Sequence, residues 1–172
     1  MVQLRGFLVA MFHEYIAEYK KQMEKGHISE VYRGLTGYMM DLRTYFKNRY
    51  PGFSVSGNIY QGYMDMTYFA LFPEQLKSRK LKIAVVFLHE TVSFEVWLAG
   101  YNRQVQAQYW KLFIESGWNE YRIPSSIKGI DSIVEYTLDG NPDFSDTEAL
   151  TSQIEKGTLN FIQDIESFLS GH

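Results

Sequence analysis

The chain of 172 residues contains no cysteine, so it forms no disulfide and offers no thiolate for catalysis or zinc binding. It also lacks any run of eighteen apolar residues, the length that a membrane-spanning helix needs. The N-terminus has no signal-peptide pattern, because no small-residue cleavage site follows its short apolar stretch. These absences predict a cytoplasmic protein with no membrane attachment.

Positive charge is not in excess either. The chain has 17 Lys and Arg against 20 Asp and Glu, a formal net charge of −3. Without a global basic field, nucleic acid is a disfavoured partner. Aromatic residues, by contrast, are plentiful, with 13 Tyr and 12 Phe. Tyrosine at this frequency indicates a wide half-wet surface, either a cleft or an association face, and is compatible with a homodimer.

Three apolar-alternating stretches in the middle of the chain determine the fold class. They cover residues 59–72, 81–88 and 92–98, and the second stretch is apolar on both faces, as a central strand would be. The short polar break 89–91 predicts a hairpin between the second and third stretches. The region 58–100 is therefore expected to form a three-stranded antiparallel meander.

Helical patterns flank this meander. Two helices precede it, ending near Gly26 and at Pro51-Gly52, and a helix capped by Asn102 follows it. A fourth strand is expected over 130–138, then a long C-terminal helix with a capping box at Ser145 and Glu148. The sequence thus predicts a single α+β domain over 1–172. Its sheet is mainly antiparallel but mixed, since a strand that follows a crossover helix can pair in parallel.

From Ile28 to Leu138 the order of elements resembles the core of the PD-(D/E)XK nuclease-like fold. That resemblance implies magnesium held by an acid on one meander strand and by an acid-x-lysine pair on the next. In Glu95-Val96-Trp97 a tryptophan stands where the lysine belongs, and Asp65 lies one strand too early. The resemblance therefore implies the fold without the nuclease activity. More generally, the chain resembles small uncharacterised bacterial domains of unknown function, which bring no catalytic residues with them.

Acidic side chains on the predicted strands are the candidates for catalysis. Asp65, Glu95 and Glu135 each fall on a strand that could aim a carboxylate rigidly, and Glu90 lies nearby. If they share a face, they could bind magnesium or act in acid–base chemistry. The alternative is a sheet with one partly wet face, which is common in antiparallel sheets. Apart from this set no metal site is expected, because His89-Glu90 lacks the second histidine of the zinc-protease pattern.

The end of the third strand is the candidate for ligand binding. Within seven residues it brings an indole, a phenol, an amide and a guanidinium to a helix N-terminus, a favourable place for an anion or a planar ligand. Residues 118–122 could add a second wall. The candidate ligand-binding residues are Trp97, Tyr101, Asn102, Arg103, Trp118 and Arg122. The structural alternative is a buried tryptophan beside a capped helix with an exposed arginine.

Two functions remain open. The first is a non-catalytic domain that uses this aromatic cleft to bind a small molecule or a protein partner, with no cofactor. The alternative is a magnesium-dependent phosphodiesterase or nuclease that uses the strand carboxylates.

Overall fold

The computed structural model describes residues 2–172, with side chains from residue 11 onward. It has five helices: α1 (Val2–Glu24), α2 (His27–Arg49), α3 (Glu74–Ser78), α4 (Arg103–Glu115) and α5 (Thr147–Ser170). Its six strands are β1 (Ser54–Val55), β2 (Tyr60–Gln61), β3 (Met66–Phe72), β4 (Leu81–Leu88), β5 (Ser93–Gly100) and β6 (Ser132–Asp139). The α+β class and the flanking helices are confirmed. Within the described residues, no helix is both long and apolar enough to cross a membrane.

The chain forms two compact units, residues 1–38 and residues 39–172. The first unit contains α1 and the N-terminal part of α2, separated by Lys25-Gly26. Gly26 has φ +79°, a left-handed conformation that glycine adopts without steric cost, so it ends α1 where the sequence places a stop. The second unit contains the sheet and all other elements. The expectation of one domain over 1–172 stays a prediction.

The sheet has the strand order β1-β3-β4-β5-β6, with β2 also paired to β3. The meander β3-β4-β5 is confirmed, and all eight residues of β4 pair with β5, from Leu81 opposite Gly100 to Leu88 opposite Ser93. The apolar residues of β4 on both faces make it the central strand of this meander.

The first predicted strand is wrong in its N-terminal half. Residues 59–72 do not form one strand, because the chain turns between β2 and β3 and Met64 adopts φ +62°. The turn is closed by the Gly62 N–H, which donates to the Met66 carbonyl at 2.8 Å. Asp65 lies in this turn, exposed, and its Oδ1 accepts from the Met66 N–H. It is therefore not held on a strand.

The fourth predicted strand exists as β6, but its expected parallel pairing is wrong. β6 pairs antiparallel with β5, with Val96 opposite Tyr136 and Trp97 opposite Glu135. The reason lies in the connection. α4 carries the chain away from the end of β5, and residues 116–131 return it to that same end, where Ser132 pairs with Ala99. All strand pairings among the described residues are thus antiparallel.

The two faces of the sheet differ in the size of their side chains. One face forms the core, where Phe46 of α2 contacts Phe69 at a ring-centroid distance of 5.8 Å. The other face is only partly covered and has alanines at its centre. The core face carries Phe69, Leu71, Ile83, Val85, Val96 and Leu98, and the opposite face carries Tyr68, Ala70, Lys82, Ala84, Trp97 and Ala99.

A carboxylate holds α5 against the C-terminal part of α2. Glu155 of α5 accepts hydrogen bonds from the Tyr45 and Tyr50 hydroxyls and from Arg49 Nε, the last at 3.0 Å. Burial opposes its charge, but the hydrogen bonds and the guanidinium outweigh burial and hold the pKa of Glu155 below its usual range. Because half-buried carboxylates need such partners, this contact fixes the pairing of the two helices.

The N-cap of α5 is also displaced from its predicted position. Asp146 is the capping residue, and its carboxylate accepts from the Ala149 N–H at 3.0 Å. Ser145 instead donates its hydroxyl to Asp143 at 2.6 Å, which stabilises the preceding turn. Aspartate caps as well as serine does, so the helix starts one residue later than the capping-box spacing indicates.

The turn between β4 and β5 holds Val92 at φ +51° with half of its side chain exposed. A β-branched residue is strained in this region of backbone space, whereas asparagine tolerates it. We expect Val92→Asn to raise the free energy of unfolding by about 0.5 to 1 kcal/mol, measured by urea denaturation. Val92→Thr keeps the β-branch and is the matched control. An equal gain in both variants would show that backbone strain is not the cause.

Candidate functional site

A cleft opens on the partly covered face of the sheet at the end of β5, with a volume of about 290 Å³. We call it the β5-end cleft. Its floor contains the alanines 84 and 99, whose small side chains leave space between larger neighbours. The walls on the sheet are Tyr68, Lys82 and Trp97, and the rim is formed by Tyr101, Asn102, Arg103, Gln106 and Asp131. The structure therefore brings together four of the six predicted ligand-binding residues.

The walls combine aromatic rings with a cation. The Lys82 ammonium lies 5.7 Å from the centroid of the Tyr68 ring, and none of the ion pairs among the described residues involves Lys82. Burial raises the pKa of the Tyr68 phenol, and the Asp131 carboxylate adds to the rise. The phenol thus stays protonated as a hydrogen-bond donor. Trp97, on the other side, donates its indole N–H to Glu95 Oε2 at 2.6 Å, which fixes the orientation of the ring.

The rim is held in place by a polar network. Asn102 caps α4, accepting from the Val105 N–H at 2.9 Å, as the sequence predicts. Arg103 donates to Gln106 Oε1 at 2.8 Å and to the Ile130 carbonyl, and it pairs with Asp131 at 3.1 Å. Its guanidinium therefore anchors the segment before β6, while 62% of the side chain stays exposed at the rim.

Gln106 is the residue of this site that sequence reasoning missed. Gln104 and Gln108 of the same helix are exposed, but only 2% of Gln106 is exposed. Its side-chain amide donates to the carbonyls of Ile130 at 2.8 Å and Ser132 at 3.1 Å. A buried glutamine is stable only when it is hydrogen-bonded in this way, and no local sequence signal marks the distant partners.

Trp118 and Arg122 do not join this cleft. Trp118 packs in an aromatic cluster at centroid distances of 4.9 Å from Phe113 and 5.5 Å from Phe168. Arg122 pairs with Glu135 at 2.9 Å and also forms backbone hydrogen bonds with it. These two residues therefore do not line the β5-end cleft, and their role in ligand binding stays a prediction. These residues instead brace the connection 116–131 against α5 and β6.

A second concavity of about 530 Å³ lies beside β6 and contains two of the three catalytic candidates. Glu95 and Glu135 both line it, but each carboxylate already has partners. Glu95 accepts from Trp97, while Glu135 accepts from the Ser132 hydroxyl and pairs with Arg122. Ordinary hydrogen bonds and an ion pair thus explain the positions of the Glu95 and Glu135 carboxylates.

The acids do not assemble into a metal centre. Asp65 lies in the turn before β3, and Glu90 is exposed in the turn after β4. In the part of the chain that the structure describes, no group of three or more His, Asp or Glu side chains is placed to hold a metal ion. The geometry therefore gives no support to the magnesium-dependent alternative.

The fold and the cleft define an α+β domain with one open, aromatic sheet face. The chain belongs to the family described as Domain of unknown function (DUF7000), whose family model matches residues 12–169. No curated protein and no solved structure matches it. The expectation of an uncharacterised domain family is confirmed, while the relation to the nuclease-like fold and the bacterial origin stay predictions.

Gly100 allows the end of β5 to pass close to the backbone at the start of α4, beside the cleft. A Cβ at this position would lie 2.7 Å from the Gln106 backbone nitrogen and 3.1 Å from the Asn102 carbonyl oxygen. Because these are backbone atoms, they cannot move aside without shifting α4. We expect Gly100→Ala to lower the free energy of unfolding by about 1 to 3 kcal/mol, as overpacked sites do.

Gly52→Ala is the matched control, since nothing lies within 4 Å of a Cβ at Gly52 and its φ is not left-handed. This change should leave stability unchanged or raise it by up to about 1 kcal/mol. Urea unfolding midpoints measure both variants. Equal responses would contradict the steric account of Gly100.

Proposed function

We propose that this domain binds a small planar molecule carrying an anionic group in the β5-end cleft, and that it does so without catalysis. The observation that carries this proposal is the arrangement of Tyr68, Lys82 and Trp97 around the alanine floor. Aromatic walls with a few convergent polar groups are typical of small-molecule sites. The cytoplasmic location stays a prediction.

The size of the cleft limits the ligand. Pockets for drug-sized molecules begin at roughly 300 Å³, so a volume of about 290 Å³ suits one ring system with a short substituent. An aryl carboxylate or a single nucleotide has these dimensions. A folded protein segment would need a longer groove, which makes a small molecule the better candidate than a protein partner.

Charge supports an anionic group on that ligand. Lys82 and Arg103 contribute two positive formal charges to the cleft, and Asp131 contributes one negative charge. Since Arg103 is already paired with Asp131, Lys82 is the cation available to the ligand. The Lys82 ammonium would pair with the carboxylate or phosphate of the ligand, while the planar ring of the ligand stacks on Trp97.

Thermal unfolding with indole-3-acetate, adenosine 5′-monophosphate or inorganic phosphate tests this proposal. A ligand at ten times its Kd stabilises by about 1.4 kcal/mol. For a chain of this size, that is a rise in Tm of about 3 to 5 °C. We expect this rise with at least one of the two planar anions and not with phosphate alone.

Two cleft variants and one control make the test specific. Lys82→Gln removes the ammonium group from the cleft wall and Ala84→Leu fills the floor, so both should lose the Tm rise while keeping the wild-type circular dichroism spectrum. Lys77→Gln, which removes an exposed lysine of α3 outside the cleft, should keep it. The proposal is wrong if neither planar anion stabilises the wild type, or if both cleft variants respond as the wild type does.

A further inference from the structure

The helix α1 presents an apolar stripe that the chain leaves exposed. From Phe12 to Lys21 every residue is exposed, although the sequence has the three-and-four spacing of a helix that buries one face. The members of this stripe expose about half of their surface or more: Phe12 64%, Tyr15 61%, Ile16 47% and Tyr19 57%. We call this set the α1 stripe.

A helix of this kind needs a partner. Most of the stability of protein helices comes from packing an amphipathic face, and little comes from intrinsic propensity. Contiguous exposed apolar surface of this extent marks an association site on soluble proteins. The α1 stripe lies in the unit formed by residues 1–38 and involves no residue of the β5-end cleft.

We infer that the α1 stripe is the interface through which two copies of this chain form a two-fold symmetric dimer. The four side chains expose roughly 400 Å², if a whole large side chain is taken as about 150 to 250 Å². One partner of a standard interface contributes about 800 Å². The stripe therefore supplies the apolar core of such an interface, and the flanking polar residues supply its rim.

The balanced charge of this unit favours a second copy of the chain as the partner, over a membrane surface or a nucleic acid. Residues 11–38 contain four acidic and four basic side chains, so two copies meet without net repulsion. A membrane surface or a nucleic acid would instead require a polar face rich in Lys and Arg. The i,i+4 pair Lys20–Glu24 and the i,i+3 pair Lys21–Glu18 neutralise part of the polar face within α1.

Sedimentation velocity of the full chain tests the dimer. At about 50 µM, a concentration above the micromolar Kd at the weak end of the range for standard-size interfaces, the wild type should sediment at twice the 20.1 kDa chain mass. Tyr15→Glu or Tyr19→Glu should raise the dimer Kd by roughly a hundredfold, because each puts a charge in the centre of the interface. Tyr63→Glu changes a fully exposed tyrosine outside the stripe and should remain dimeric.

A wild type that sediments as a monomer would overturn the inference, and so would a Tyr19→Glu variant that remains a dimer. Loss of the dimer in Tyr63→Glu would place the interface elsewhere. Circular dichroism spectra that match the wild type would show that the variants are folded.

Cross-linking locates the interface independently, because the chain contains no cysteine. Ile16→Cys places a thiol on the stripe, and Glu14→Cys places one on the opposite side of the same helix. Under mild oxidation, Ile16→Cys should give a covalent dimer on a non-reducing gel and Glu14→Cys should not. Equal yields from both variants would contradict the assigned face.

Discussion

The structure depends on the eight-residue antiparallel pairing of β4 with β5. In a strand, neighbouring side chains point to opposite faces, so this register decides which residues of the two strands lie together. It places Ile83 with Leu98 in the core, and Ala84 with Trp97 on the open face. A slip of one residue would exchange the two faces and bury Lys82, which makes the observed register strongly favoured.

The same register explains why a cleft forms. The core face carries large aliphatic and aromatic side chains, which fill the space under α2 and α5. The opposite face carries alanines at its centre, and these leave a depression between Tyr68, Lys82 and Trp97. Because the buried amide of Gln106 and the exposed Arg103 both hold the Ile130 carbonyl, the rim keeps its position. The cleft is thus a consequence of side-chain volume on a rigid sheet.

Local patterns predicted the elements that local forces determine. The alternation in β4 and β5, the Asn102 cap and the long C-terminal helix α5 could all be predicted from the sequence, because each follows from a repeat or a short-range hydrogen bond. The two-residue strands β1 and β2 were not, since so short a strand exists only through its pairing with β3. The turn that places Asp65 before β3 was missed for the same reason, because it joins β3 to the short strand β2.

Long-range features of the site could not be predicted. Whether Trp118 and Arg122 reach the cleft depends on the direction of the connection 116–131, and this is set by packing against α5 and β6. The burial of Gln106 depends on carbonyls more than twenty residues away. Sequence reasoning therefore predicted four residues that line the cleft, but it could not predict that Arg103 pairs with Asp131 or that Lys82 lies in the same cleft.

The indole N–H signals of the 15N-labelled protein test the central claim most directly. The chain has three tryptophans, and Trp97→Phe assigns the signal of the one that lines the cleft. During titration with the planar anion that raises the Tm, the Trp97 signal should move progressively to saturation. The signals of Trp110, which donates to the Pro124 carbonyl, and of Trp118 should stay in place. A Trp97 signal that does not move while the protein is saturated with ligand would contradict the account.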